Sequence, residues 1–167
     1  IHLDINENFE LFKKNILIVG FGRIGRKLIK KCLGFDLTVN IFDPFVDEKV
    51  INAHGGSKVL DLKESLKTTD ILSLSLPKND KTYNLISLDE MKLMKKNSII
   101  INASRGGIVN ENDLDFALNR KIIFYAGIDV FENEPPEASN PLLSNKRVLL
   151  SPHAATFTKE CLENMSI

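Results

Sequence analysis

Two cysteines, Cys32 and Cys161, are all that this 167-residue chain contains, and neither has a second ligand type at metal-binding spacing. That scarcity excludes a disulfide framework and a thiolate metal cluster, and no metal site is expected. Lying 129 positions apart, the two are expected to be reduced thiols of a cytoplasmic protein. An excess of one charge is missing too, because Lys plus Arg and Asp plus Glu each total 22. Nucleic acids and anionic membrane surfaces attract a basic excess, so neither is an expected partner. Lys92, Lys95 and Lys96 form a local cluster, but Asp89 and Glu90 beside them make it one solvated helix face. No apolar run reaches the roughly 18 residues of a membrane span. Acidic residues interrupt the first ten positions, which breaks a signal-peptide pattern. Repeats and low-complexity segments are absent as well. What is present, 43% hydrophobic and 26% charged residues, is ordinary for a globular domain with one sizeable core.

From Ile16 onward, short apolar runs alternate with helical patterns. Strands are predicted at Ile16 to Val19, Leu37 to Phe42, Lys58 to Leu60, Ile71 to Leu76, Ser98 to Asn102, Ile122 to Asp129 and Val148 to Leu150. Helices are predicted over Arg23 to Leu33, Val46 to Ala53, Leu62 to Lys67, Ser87 to about Lys95, Glu111 to Asn119, and from about Thr158. Asp61 with Glu64 and Ser87 with Glu90 each have the spacing of a capping box. Asn133 to Pro141 reads as a loop. Near-continuously hydrophobic strands, each followed by a helix, indicate a parallel sheet covered on both faces. The expected class is therefore α/β: a Rossmann-type, doubly wound, mostly parallel sheet with helices on both faces. Its ligand site is expected at the carboxyl ends of the strands.

Gly20-Phe21-Gly22-Arg23-Ile24-Gly25 fits G-x-G-x-x-G, directly after a strand and opening a helix. In that context Gly20 permits the tight turn, Gly22 lets a pyrophosphate approach the backbone, and Gly25 lets helix and strand pack closely. The free N–H groups around Arg23 and Ile24 then face the anion. Asp43 ends the second strand, 18 residues after Gly25, near the spacing of ~20 expected for a ribose-binding acid. Its charge opposes a 2′-phosphate: at ~5 Å and an effective dielectric near 20, each phosphate charge costs about 3 kcal/mol. NAD is thus favoured over NADP. The bland alternative is that Asp43 only starts an Asp-Pro turn.

Three further segments each follow a strand: Asn102-Ala103-Ser104-Arg105-Gly106-Gly107-Ile108-Val109, Gly127-Ile128-Asp129-Val130-Phe131-Glu132-Asn133-Glu134-Pro135, and Ser151-Pro152-His153-Ala154-Ala155. With the glycine turn they resemble the NAD-binding domain of the D-isomer-specific 2-hydroxyacid dehydrogenases, over roughly Asn15 to Glu163. The Phe42-Asp43-Pro44-Phe45 segment looks like the D-3-phosphoglycerate dehydrogenase branch.

The resemblance implies Arg105, Glu134 and His153 as catalytic residues. It implies Gly20, Gly22, Arg23, Ile24, Gly25, Asp43, Pro77, Thr82, Ala103 and Asp129 as cofactor contacts, with Asp129 on the nicotinamide carboxamide. The chemistry supports these residue types independently. A base must take the hydroxyl proton of a 2-hydroxy acid, and histidine titrates near neutrality. A carboxylate beside it orients the imidazole and stabilises its cation, while an arginine fork holds the substrate carboxylate and polarises a 2-keto group. Outside such a pattern, an arginine after a strand is more often a surface ion pair, and a Pro-His pair is usually loop. Glu132 is the rival to Glu134. His2 and His54 match no motif and are expected in solvent.

In the resembling family this domain is inserted into a second one that supplies the opposite wall of the cleft. Here 19 residues precede Gly20 and 14 follow His153, too few for another core. The chain also begins at Ile1 rather than Met. It is therefore expected to be one piece of a longer enzyme: a linker remnant over 1–14, the cofactor domain over 15–155, and a return helix over 156–167. Such a piece is expected to bind NAD yet turn over 2-keto acids poorly, because an open cleft admits water. A homodimer through this domain and a small 2-hydroxy or 2-keto acid substrate are the implied partners. The alternative is an NAD-responsive, dimerising, corepressor-like binding module.

Overall fold

The computed structural model describes residues 10–165. Residues 1–9 of the assigned linker, with His2, and residues 166–167 lie outside them. Seven strands form one all-parallel sheet: β1 (Asn15–Val19), β2 (Thr38–Phe42), β3 (Ser57–Lys58), β4 (Ile71–Leu74), β5 (Ile99–Asn102), β6 (Tyr125–Ile128) and β7 (Val148–Leu150). Their spatial order is β3-β2-β1-β4-β5-β6-β7. The chain winds outward from β1 in one direction, then returns and winds outward in the other. The reversal lies between β1 and β4, and loops leaving neighbouring strands in opposite directions open a crevice there.

Helices α1 (Arg23–Gly34), α2 (Glu48–Ala53), α3 (Leu62–Leu66), α4 (Leu88–Leu93), α5 (Glu111–Asn119) and α6 (Lys159–Met165) fill the connections. On one face, Leu17, Leu72, Ile100 and Ala126 stand in register. They pack beneath Leu66 of α3, Met91 of α4 and Leu114 and Leu118 of α5. On the other, Ile16, Ile18, Val39 and Ile41 pack against Ile29 and Cys32 of α1 and Ile51 of α2. Full burial of such a side chain contributes roughly 1.5–3 kcal/mol, so these two layers hold the domain together.

The second layer is incomplete among the described residues. Ser73, Ile101, Gly127 and Leu149 continue that face in register from β4 to β7. Ile101 is 40% and Leu149 79% exposed, although both belong to the sheet. Helices lie on both faces, as expected, but the second face is packed mainly over its β1–β2 half.

Several predicted strands are shorter in the structure, for a shared reason: apolar residues beside a strand serve the core without joining the ladder. The Leu37 N–H caps α1 through the Cys32 carbonyl, and Ile122 bonds the Ala117 carbonyl at the end of α5. Leu60 is exposed, where the chain turns into the Asp61 cap of α3. Only one of the two capping boxes closes. The Ser87 N–H donates to the Glu90 carboxylate, whereas Glu64 turns outward to Lys67 at 2.6 Å. Lys95 lies beyond α4 and bonds Asp70 at 2.8 Å instead of joining a solvated helix face. Both cysteines are free thiols. No described helix is long and apolar enough to cross a membrane.

Candidate active site

The turn after β1 meets two opposite demands. Gly20 donates its N–H to the Phe42 carbonyl at 2.9 Å. It sits at φ +97°, and a Cβ there would lie 2.4 Å from the Ser75 carbonyl oxygen, so only glycine fits. At Gly22 a Cβ would meet nothing within 4 Å. That space is open to an incoming group. Gly22 also precedes α1 with no side chain capping the helix, so first-turn N–H groups and the positive end of the helix dipole face the opening.

Two cavities of about 410 and 380 Å³ meet here and share Gly22, Ser75, Leu76 and Pro77. Arg23, Ile24, Ala103 and Arg105 line the first. Asp43, Phe45 and Thr82 line the second, whose wall is largely apolar. The Asp43 carboxylate accepts the Phe21 N–H at 2.8 Å and the Phe45 N–H at 2.9 Å. It therefore clamps the glycine turn to the end of β2 and also opens the Asp-Pro turn. Thr82 donates to the Pro77 carbonyl at 2.7 Å and accepts the Asn79 N–H at 2.8 Å. Those bonds close the loop that holds Pro77 at the junction of the cavities.

Arg105 lies beyond β5, in a loop shaped by buried Asn102. The Asn102 Oδ1 accepts from the Ser104 N–H and hydroxyl, and its Nδ2 donates to the Arg105 carbonyl at 3.0 Å. The exposed Arg105 guanidinium donates to the Ser104 carbonyl at 2.6 Å. Gly106 packs directly on the loop after β6: a Cβ there would stand 1.7 Å from the Phe131 carbonyl oxygen.

Asp129, just past β6, is 6% exposed. Its Oδ1 accepts the Ser151 hydroxyl and the Ala154 N–H at 2.9 Å, and its Oδ2 accepts the Ala155 N–H at 3.1 Å. Burial opposes its charge, but these donors prevail and hold the carboxyl below the usual carboxylate range. The Asp129 carbonyl also accepts the His153 N–H at 2.7 Å. Between these bonds His153 is held at φ +53°, a region that residues with a β-carbon seldom occupy.

The His153 Nδ1 lies 2.7 Å from the Glu134 Oε2, with 46% and 38% of the two side chains exposed. The other Glu134 oxygen accepts the Phe131 N–H at 3.0 Å. The hydrogen bond to His153, followed by that to Phe131, lowers the Glu134 carboxyl from its ordinary value. Glu132 points elsewhere and accepts the Tyr83 hydroxyl at 2.7 Å. Glu134 and His153 line an apolar cavity of about 460 Å³ with Phe131, Pro135, Leu143 and Leu150.

The structure thus brings Glu134 onto His153 and keeps Glu132 away. It places Arg105 on the neighbouring loop, in a different cavity. His54 is exposed, as expected, and stacks edge-on with Phe21 at 5.4 Å. Asn102 and Ser151 were not singled out by sequence. A polar residue closing an all-isoleucine strand was the available signal for Asn102, while Ser151 carried none.

Comparison with known proteins gives the following likenesses. Residues 4–155 match the model of the family described as D-isomer specific 2-hydroxyacid dehydrogenase, NAD binding domain. D-3-phosphoglycerate dehydrogenase of Methanocaldococcus jannaschii is 37% identical over 154 residues, covering 92% of this chain and 29% of that protein. Glyoxylate reductase of Thermococcus litoralis is 40% identical over 157 residues, covering 92% of this chain and 46% of that protein. The crystal structure of D-lactate dehydrogenase with NAD+ from Lactobacillus jensenii superposes with a TM-score of 0.87 at 27% identity. That match covers 99% of this chain and 53% of that one. The chain spans about half, or less, of the length of these relatives.

Proposed function

The chain belongs to the D-isomer-specific 2-hydroxyacid dehydrogenases as their NAD-binding domain, and from that premise we propose that His153, Glu134 and Arg105 form its contribution to a site for hydride transfer between NAD and a small 2-hydroxy or 2-keto acid. The observation that carries this reading is the 2.7 Å contact between Glu134 and His153 at the carboxyl edge of the sheet.

The fit to NAD rests on the open space at Gly22, the uncapped start of α1, and the paired cavities that meet at Pro77. Gly20 to Gly25, with Arg23 and Ile24, would hold the pyrophosphate. Asp43 would take the adenosine ribose with the lone pairs its two backbone bonds leave free, and Pro77, Thr82 and Ala103 would flank the cofactor. When bound, NAD supplies the carbon that exchanges a hydride with C2 of the substrate.

The residues of the chain supply the proton chemistry. Glu134 accepts from Nδ1 of His153, which leaves Nε2 of the neutral ring as the proton acceptor. In oxidation Nε2 takes the hydroxyl proton as C2 loses its hydride. In reduction the imidazolium returns that proton to the forming alkoxide, with Glu134 stabilising the cation. Arg105 holds the C1 carboxylate and polarises the C2 carbonyl. Asp129 acts first as a positioning residue, since its carboxylate fixes the 151–155 loop on which His153 sits. A nicotinamide carboxamide would use its remaining lone pair.

Calorimetric titration with NAD and NADP, followed by NADH oxidation across a 2-keto acid panel in the longer protein expected to carry this domain, tests the reading. Preference for NAD, and loss of turnover but not of NAD binding in His153→Ala, are expected. Absence of NAD binding, or a His153→Ala variant as active as the parent, overturns it. The family resemblance also supports a homodimer and a cytoplasmic location; sedimentation equilibrium measures the first.

A further inference from the structure

Around the cavity that holds Arg105, the lining residues include three cations, Arg23, Lys78 and Arg105, and no carboxylate. On the reading above, Arg23 faces the pyrophosphate and Arg105 the C1 carboxylate. Lys78 is left without an assigned partner. Lys63 pairs with Glu90, Lys67 with Glu64, Lys92 with Asp89 and Lys95 with Asp70. Among the described residues Lys78, like several other exposed lysines, has no such pair, and what sets it apart is its place in this cavity.

The ammonium of Lys78 nevertheless has a built seat. It lies 5.4 Å from the centre of the Tyr83 ring. It also comes within 2.9 Å of the place a Cβ on Gly107 would take. Gly107, at φ +75°, belongs to the same loop as Arg105, so the absent side chain there is what admits Lys78 next to that loop. Tyr83 is itself fixed by its 2.7 Å bond to Glu132, whose N–H is held by Glu111 at 2.7 Å. An unpaired cation held over a ring face beside the Arg105 loop is poised for a second anion.

We propose that Lys78 is a specificity-determining residue: it binds the second anionic group, carboxylate or phosphate, of a dianionic 2-keto or 2-hydroxy acid whose C1 carboxylate is held by Arg105. This rests on the activity reading above. A monoanionic acid of the glyoxylate or pyruvate type leaves Lys78 unused, so the residue sorts substrates by charge at the end remote from C1.

The test compares the longer protein expected to carry this domain, with both walls of its cleft, with its Lys78→Met and Lys78→Arg variants. Steady-state NADH oxidation is measured with glyoxylate, pyruvate, oxaloacetate and 3-phosphohydroxypyruvate, alongside calorimetry of the NAD-saturated protein with the same acids. Lys78→Met is expected to raise KM and Kd roughly 10- to 100-fold for oxaloacetate and 3-phosphohydroxypyruvate, the two acids with a second anionic group, the scale of a lost charge-assisted bond. It should leave both monoanions within about twofold, with Lys78→Arg retaining most of the preference. Unequal losses for oxaloacetate and phosphohydroxypyruvate identify the group being read. Equal effects on acids with and without a second anionic group, or weakened NAD binding in Lys78→Met, overturn the assignment to Lys78 and leave the activity reading standing. Parent protein that binds NAD but neither binds nor reduces any of the four acids overturns both.

Discussion

Replacing Asp129 by Asn isolates the charge of the residue that fixes the His153 loop, because the two side chains are nearly the same shape. In the parent, Oδ1 serves Ser151 and Ala154, and Oδ2 serves Ala155. An asparagine oxygen in the Oδ1 position keeps the first two donors but turns an NH2 group toward the Ala155 N–H. One charge-assisted bond becomes a donor–donor contact, and two others become neutral. A lost bond to a charged group costs about 1.5–3 kcal/mol, and neutral bonds are roughly half as strong as charged ones. The sum is about 3–6 kcal/mol, or at least about 100-fold in an opening equilibrium.

Residues 151–155 lie past the edge strand β7, so the loss is expected as local opening more than as global unfolding. Amide hydrogen exchange at His153, Ala154 and Ala155 should accelerate at least about 100-fold, with little change at the buried β1 and β4 amides. The same contribution is pH-dependent. Asp129 is held below its unfolded-state value, so its share of stability is present above the ordinary Asp value of about 3.9 and disappears as pH falls through the lower folded-state value. Parent protein should lose protection in this loop on acidification below that range, and Asp129→Asn should show no such step. An exchange change under about threefold would refute the assignment of Asp129 as the anchor of the loop.

Other substitutions separate structure from binding. Gly106→Ala forces a methyl against the Phe131 carbonyl, where a Cβ would lie at 1.7 Å; overpacking of about 1–3 kcal/mol or more should appear in urea unfolding, together with a displaced Arg105 loop. Gly22→Ala meets nothing in the chain, so stability should hold within about 1 kcal/mol, while NAD affinity falls tenfold or more by titration. Asp43→Ala removes both the clamp on the Phe21 N–H and the charge facing a 2′-phosphate, and calorimetry should show weaker NAD binding with a smaller preference over NADP. Glu134→Gln should scarcely alter thermal stability, as the side chain is more than a third exposed and an amide oxygen can still accept the Phe131 N–H, but should lower 2-keto acid turnover by about 100-fold, since the carboxylate supporting the imidazolium is gone.

Several features were legible because their information lies in adjacent residues. Apolar runs separated by helical patterns predict a parallel sheet, and the sheet is wholly parallel. The α5 limits, Glu111 to Asn119, agree residue for residue with the pattern. Strand ends were less legible at Leu37, Ile122 and Leu60. Burial and ladder pairing both favour apolar residues, and a linear pattern does not separate them. Asp43 illustrates the same limit: its turn-forming and ligand-facing readings are both compatible with where its two oxygens lie.

By itself the sequence determined the order of elements, the glycine turn that opens α1, and the kinds of chemistry that end each strand. Only the tertiary structure decided which of them meet. Glu132 and Glu134 are two residues apart on one loop, yet one reaches Tyr83 on the β4 side and the other reaches His153 on the β7 side. Asp129, expected as a ligand contact, is the anchor of a loop that begins 22 residues later. Lys78 comes beside the Arg105 loop because Gly107 has no side chain. The physical reason is the strand order: β4, β5, β6 and β7 lie side by side, so their carboxyl-end loops touch across intervals of chain that no local pattern spans.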